Sequence, residues 1–388
     1  MAENTVIIGA GGSGRGFLAR LLQEDGARIC FLDKNEGLIE ELQKKGGYGI
    51  RVGKKEPKVI IQDYEAWLTD SEAAVERAAR ADFIFTSVGA EHLEELAPFL
   101  ERAALRRKAL GQKEPLKITV CENGISPKRI LKRALQNTAA KNSLVSQGVI
   151  FCTSISESEG SLDIVSEDYQ KLPYDVDEEL FRLPFRHFPA TQRFEQLLQR
   201  KIYTYNCLSA CIAYLGFYLK YDIYADAAND NYIRQCCECL TAGLNHAICR
   251  SMHIDLEEQR EFSGMAMKKF CNRDISDTIY KNVRSAVRKL SPTERIMGPM
   301  NLMEQAGEDI SVLELVTAAA LYYLENNEEL IWQEEKYPDA VSLFCALNPQ
   351  MKKETLTTIR DMLEKFRRGE QLESIYYIEQ EKDAVNYN

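Results

Sequence analysis

The segment Gly9-Ala10-Gly11-Gly12-Ser13-Gly14 has the spacing G-x-G-x-x-G. It lies between an apolar run, Val6-Ile7-Ile8, and the start of a helical pattern at Arg15-Gly16-Phe17. A lone match of this kind is weak, but strand-to-helix context gives it a mechanism. Gly9 permits a tight turn, Gly11 lets the backbone approach a pyrophosphate, and Gly14 allows a helix to pack closely on the strand. The helix N-terminus then offers free N–H groups and a positive dipole to the phosphates. Asp33 ends the next strand-like run, RICFLD, 33 − 14 = 19 residues past the last glycine, close to the ~20 at which a carboxylate meets a ribose. Such a carboxylate accepts from the 2′- and 3′-hydroxyls and repels a 2′-phosphate, so the expected cofactor is NAD, with Lys34 softening that preference. Arg15 and Ser87 complete the candidate cofactor contacts. Ser87 lies in Thr86-Ser87-Val88-Gly89, at the end of a strand that should border the cofactor; a plain strand-to-helix turn is the alternative there.

A nicotinamide cofactor implies hydride transfer, and oxidising an alcohol requires a base for the proton and donors for the developing oxyanion. Four histidines, His92, His187, His246 and His253, form no HExxH, and none sits beside paired cysteines at ligand spacing. Cys236, Cys237 and Cys239 lack a second pair. No metal site is therefore expected. The informative stretch is RKIYTYNCLS, residues 200–209. Read as an α-helix, Lys201 and Asn206 are five apart, roughly 140° around the axis at ~100° per residue, and Ser209 follows three later. A lysine on this apolar, aromatic face would be desolvated and its pKa lowered toward that of a usable base. On spacing alone, a lysine snorkelling to water at a helix start fits better.

The chain resembles the polyol-specific long-chain dehydrogenases/reductases over nearly its whole length. GAGGSGRGFLARLL at 9–22, CENGISPKRILK at 121–132, KIYTYNCLSACIAYLG at 201–216 and VRKLSPTERI at 287–296 carry the resemblance. The resemblance implies a metal-independent, NAD-dependent enzyme that interconverts a polyol or polyol phosphate and the keto sugar. It implies that Lys201 is the general base, and that Asn206 and Asn123 donate to the substrate oxygen as an oxyanion hole. The family's histidine after Lys-x4-Asn-x2 is Ser209 here, and its Asp-Arg-Ile-like segment is replaced by Thr153-Ser154-Ile155-Ser156-Glu157-Ser158. These departures keep two other readings open: a non-catalytic NAD-binding sensor or partner protein, and a sugar-acid (hexuronate-type) reductase. For a substrate anion, Arg284, Arg288 and Lys289 are the candidate cations, with Arg295 nearby. A single helix would place Arg284 and Arg288 on one face; a solvated basic face is the equal alternative.

These residues need elements to hold them. Residues 1–190 alternate β-branched runs (5–10, 28–33, 58–63, 82–88, 117–123, 149–155) with amphipathic segments (16–24, 36–44, 71–79, 92–108). That alternation predicts an α/β fold with a Rossmann-type, doubly wound parallel sheet. Residues 156–190 read as an irregular connection. Residues 191–388 read as a mostly α-helical substrate-binding domain, with helices over 191–218, 227–251, 256–272, 275–289, 292–306, 311–324 and 356–368. Ser291-Pro292-Thr293-Glu294 reads as an N-cap with proline at the first helical position, and 379–388 as a frayed polar tail. A length of 388 residues favours two domains. The net charge of −10, without a Lys/Arg-rich block, argues against nucleic-acid binding. No run approaches the ~20 apolar residues of a membrane helix. The opening residues show no export leader, and eleven cysteines, an odd number, suit reduced thiols in a cytoplasm. The expected partner is a small sugar alcohol or sugar phosphate, and the expected state a monomer or dimer.

Overall fold

Buried residues alternate with period two along the first strands and feed two separate cores. Val6, Ile8, Cys30, Leu32, Ile84 and Val120 belong to one; Ile7, Ile29, Phe31 and Phe85 belong to the other. Only a sheet covered on both faces has this pattern. In the computed structural model, which describes residues 2–178, 180–327 and 336–378, the strands are β1 (Asn4–Ile8), β2 (Arg28–Asp33), β3 (Gly47–Val52), β4 (Val59–Gln62), β5 (Glu65–Leu68), β6 (Phe83–Thr86), β7 (Lys117–Val120), β8 (Leu144–Gln147), β9 (Ser154–Ser156) and β10 (Ile164–Ser166). Six form one sheet in the order β5-β2-β1-β6-β7-β8, every pair parallel. The order reverses beside β1, the switch point at which such sheets bind ligands. Helices Glu72–Arg80, Ala97–Ala109 and Pro127–Leu135 cover one face, and the segments Gly14–Glu24 and Glu36–Lys45 the other. The chain divides into two units, Met1–Leu198 and Gln199–Asn388.

The α/β expectation for the first unit holds, with three differences of detail. The run at 58–63 does not enter the parallel sheet. It forms β4, antiparallel to β3, in a second sheet ordered β4-β3-β10-β9, and β5 takes the edge beside β2. Gly47 and Gly49 in β3 hide its alternation. The strand expected at 149–155 lies earlier, as β8. The run VSQGVIFCTSI has strand-forming residues on both sides of Gly148, so pattern alone cannot fix which part pairs with β7. The helix Pro127–Leu135 was not expected.

The second unit is helical. Cys207–Tyr218 is buried over most of its circumference, as befits a core helix. Ser311–Glu325 is another, and Asn231–Met252 is capped by Asp230 Oδ1, which accepts from Tyr232 N and Ile233 N at 2.9 and 3.0 Å. That cap splits the helix expected at 227–251 from Tyr224–Ala228. The helix expected at 275–289 is also broken, into Ile279–Val283 and Ala286–Lys289, because Arg284 is extended and Ser285 left-handed (φ 60°). Ser291–Pro292 does not cap a helix: residues 291–296 turn, and the helix starts at Met297. Ala340–Leu347 is an unexpected helix, and the tail at 379–388 lies outside the described residues. Among those residues no helix is long and apolar enough to cross a membrane.

Candidate active site

In the first unit the glycine turn follows β1. Gly9 has φ +99°, and a Cβ there would stand 2.3 Å from Ser87 O; a Cβ on Gly14 would stand 2.0 Å from Gly9 O. Gly12, which the spacing pattern left unassigned, abuts Ser154 O at 2.3 Å, and Gly16 abuts Ile164 and Ser154. The segment 153–158 therefore packs on the turn. Gly11 alone of the turn's glycines would meet nothing within 4 Å, so its side of the turn is open. A cavity of about 500 Å³ lies there, lined by Gly9, Gly11, Asp33, Ser87, Val88 and Phe99 among others, within the ~300–1,000 Å³ of small-molecule sites. Asp33 Oδ2 accepts from Ala10 N–H at 2.7 Å and Oδ1 from Asn35 N–H at 2.9 Å. Each oxygen keeps lone-pair capacity for a further donor. The open face at Gly11 and the acid on the cavity wall fit a dinucleotide.

Arg15 turns its charge inward. It is buried, and its Nε and Nη1 donate to Ala10 O and Leu162 O, both at 2.6 Å. Burial lowers its pKa. Ser87 lines the cavity, its N–H donating to Ile8 O at 2.7 Å. Asn123 is exposed just past β7. Its segment is braced by Ser126 Oγ donating to Glu195 Oε2 at 2.7 Å, with Glu195 Oε1 accepting from Gln147 at 3.1 Å. Lys128 is buried against Asp175 and Glu178. Glu122, which pattern reading passed over, accepts from Thr86 Oγ1 at 2.8 Å and Val88 N–H at 3.0 Å. Its only sequence signal is a carboxylate directly after the buried run KITVC.

In the second unit, Lys201 is 4 % exposed. Burial first, then Arg295 and Lys269, lower its pKa from 10.5 to about 7, with Glu294 opposing. The helix does not continue as α. Residues Ile202–Asn206 make one π turn, closed by Cys207 N–H on Ile202 O five residues back. One extra residue per turn shortens the angle from Lys201 to Asn206 from roughly 140° to roughly 40°, and leaves Ser209 close to the same line. Of residues 200–216, only Asn206 and Ser209 are not buried, which places both on one accessible face. Gln259 Nε2 clamps the turn through Thr204 Oγ1 at 3.0 Å. Arg200 is held by Gln259 and Glu258 at 2.7 and 2.6 Å. Ser209 faces the buried Tyr224 hydroxyl.

The candidate anion-binding cations separate. Arg284 and Arg288 are exposed on opposite sides of the helix break, so the shared-face argument does not apply to them. Lys289 is buried, donates to Asn282 O and stands 5.5 Å from the Tyr214 ring centroid. Arg288 and Arg295 share Glu294, each at 3.1 Å. Sequence spacing could not find Glu294, Arg295 and Lys269 as the charges around Lys201, because they come from other helices and turns.

A parallel six-stranded sheet with a glycine turn after its first strand and an acid ending its second defines a Rossmann-type unit. Residues 3–158 match the mannitol dehydrogenase Rossmann domain, and residues 194–367 match the mannitol dehydrogenase C-terminal domain. The chain belongs to the mannitol dehydrogenase family of oxidoreductases. It is 27% identical over 347 residues to mannitol-1-phosphate 5-dehydrogenase of Lacticaseibacillus casei (strain BL23), covering 83% of this chain and 88% of the relative. It is 26% identical over 380 residues to the enzyme of that name from Neurospora crassa, covering 90% and 94%. Among solved structures, Pseudomonas fluorescens mannitol 2-dehydrogenase in ternary complex with NAD and D-mannitol matches with TM-score 0.69 at 15% identity, over 94% of this chain and 95% of that one. A substrate-free D-sorbitol dehydrogenase matches with TM-score 0.71 at 13% identity, over 95% and 94%. At these identities the structural likeness is one of fold.

Proposed function

We propose that the protein is an NAD-dependent, metal-independent dehydrogenase that interconverts a polyol or polyol phosphate and the keto sugar, with Lys201 as general base. The observation that carries the reading is a buried lysine with its pKa brought to about 7, one π turn from the accessible Asn206, with Ser209 three residues further along the same accessible face. In the oxidation, the neutral amine of Lys201 takes the hydroxyl proton as the C–O bond becomes a carbonyl. NAD, when bound, takes the hydride. The Asn206 amide donates to the oxygen as charge develops on it, and family resemblance gives Asn123 the same role. Ser209 replaces the family histidine as a short donor and acceptor that does not titrate near neutrality. Asp33 would hold the ribose hydroxyls, and the helix start after Gly14 the pyrophosphate.

The names of the relatives, together with Arg288 and Arg295 beside Glu294, favour a phosphorylated polyol. The test is NADH formation from NAD with a panel of hexitols, hexitol 1-phosphates and aldonates. Hexitol 1-phosphates are expected to give the highest kcat/KM, and exhaustive chelation is expected to leave it unchanged. No NADH from any member, with no reduction of keto sugars by NADH, sinks the proposal. Asp33→Ala is expected to weaken NAD at least about tenfold and to narrow the preference over NADP, because the repulsion of a 2′-phosphate goes with the carboxylate. Titration with both cofactors measures this, and unchanged selectivity would remove Asp33 from the ribose site.

A further inference from the structure

We propose that Glu122 is a specificity-determining residue that makes the cofactor cavity favour the oxidised, cationic nicotinamide over the reduced, neutral one. The inference rests on the NAD reading above. Glu122 is 5 % exposed and follows β7. Its oxygens accept from Thr86 Oγ1 at 2.8 Å and Val88 N–H at 3.0 Å, so the carboxylate ties the C-terminal ends of β6 and β7 together behind the Ser87–Val88 wall of the cavity. Neither partner is a cation, and among the described residues Glu122 makes no ion pair. The Cys121 thiol next to it is kept neutral by burial, and from β6 and the turn after it Thr86 Oγ1 and Val88 N–H reach the carboxylate. A carboxylate buried without a counter-charge is costly, and such groups beside a cleft are candidates for function. Burial lifts this one to about 7, against the pull of its hydrogen bonds. Near neutrality, a single charge arriving close by decides its protonation.

The sheet order indicates which part of the ligand brings that charge. Asp33 ends β2, the glycine turn follows β1, Ser87 and Val88 follow β6, and Glu122 follows β7, on consecutive strands. Three steps of roughly 4.8 Å give about 14 Å, a reach suited to a dinucleotide laid across the strand ends with its adenosine at the acid of β2. The half over β6 and β7 is then the nicotinamide, positive when oxidised and neutral when reduced. A carboxylate attracts the first and adds little for the second; a protonated carboxyl distinguishes neither.

The test is equilibrium binding of NAD and of NADH, by calorimetry and NADH fluorescence, to the full chain and to Glu122→Gln between about pH 5.5 and about pH 8.5. In the wild type, Kd(NADH)/Kd(NAD) is expected to rise about tenfold as pH climbs through neutrality, the change given by one pKa unit of differential interaction. In E122Q the rise is expected to shrink to the part that Lys201 contributes as its own charge is lost near neutrality, since the amide retains partners for Thr86 and Val88 but carries no charge. Asp33, Lys34, Asp70, His92, Glu95 and Arg102, which line the cavity, are unchanged in E122Q, so the difference between the two proteins isolates Glu122. A flat wild-type ratio, or the same rise in E122Q, overturns the proposal. Should E122Q not fold, proton uptake decides: exchanging NAD for NADH in the wild type near neutrality should take up protons, and no uptake overturns it. Binding of neither form at any pH removes the NAD reading itself, and this inference with it.

Discussion

Replacing Lys201 by alanine is expected to lower kcat for polyol oxidation by about 10²–10⁴-fold, the range over which a positioned general base acts, while NADH still binds. The ammonium form cannot accept a proton. With its pKa brought to about 7, kcat/KM for oxidation should rise with pH through neutrality and level off above it. The reverse reduction needs the ammonium as acid, so its rate should fall as pH rises through the same value. Arg295→Gln removes a neighbouring cation that disfavours the charged amine; the oxidation limb should then move to higher pH. Steady-state profiles in both directions, with tryptophan-to-NADH energy transfer to confirm binding, measure all of this. A K201A variant with wild-type kcat, or a profile unmoved in R295Q, would take the base away from Lys201.

How much of this chemistry was legible in the residue order depends on how local its cause is. The turn Gly9–Gly14 and Asp33 were readable because each glycine answers to a neighbour a few residues away or to the adjacent strand. The direction of Arg15 was not, because Leu162, which takes its guanidinium, is 147 residues distant. The pairing of β3 with β10 depends equally on a long-range partner. Lys201 and Asn206 are singled out by resemblance and helical spacing. The π turn that draws them together is set by packing and by the Gln259 clamp, neither of which has a periodic signal. The break at Arg284–Ser285 shows the opposite failure. Apolar residues at helical spacing continued through 275–289, but tertiary contacts overrode the propensity, and the proposed face of Arg284 and Arg288 went with it.

Two glycines of one turn are expected to fail in different ways when each becomes alanine. A Cβ on Gly14 would lie 2.0 Å from the Gly9 carbonyl oxygen, a backbone atom that cannot swing aside. The turn or the helix start must move, and overpacking of this kind costs about 1–3 kcal/mol. Gly14→Ala should therefore lower Tm by several degrees, with NADH affinity falling as a consequence. A Cβ on Gly11 meets nothing within 4 Å, and its φ lies outside the left-handed region. Gly11→Ala should leave Tm unchanged, yet place a methyl on the open side of the turn where the pyrophosphate backbone must come close. A loss of NADH affinity of at least about tenfold, or about 1.4 kcal/mol, is expected without loss of fold. Thermal melts beside NADH titrations separate the two. Full NADH affinity in G11A would mean that no ligand backbone approaches this turn, and that the motif serves only to pack the helix against β1.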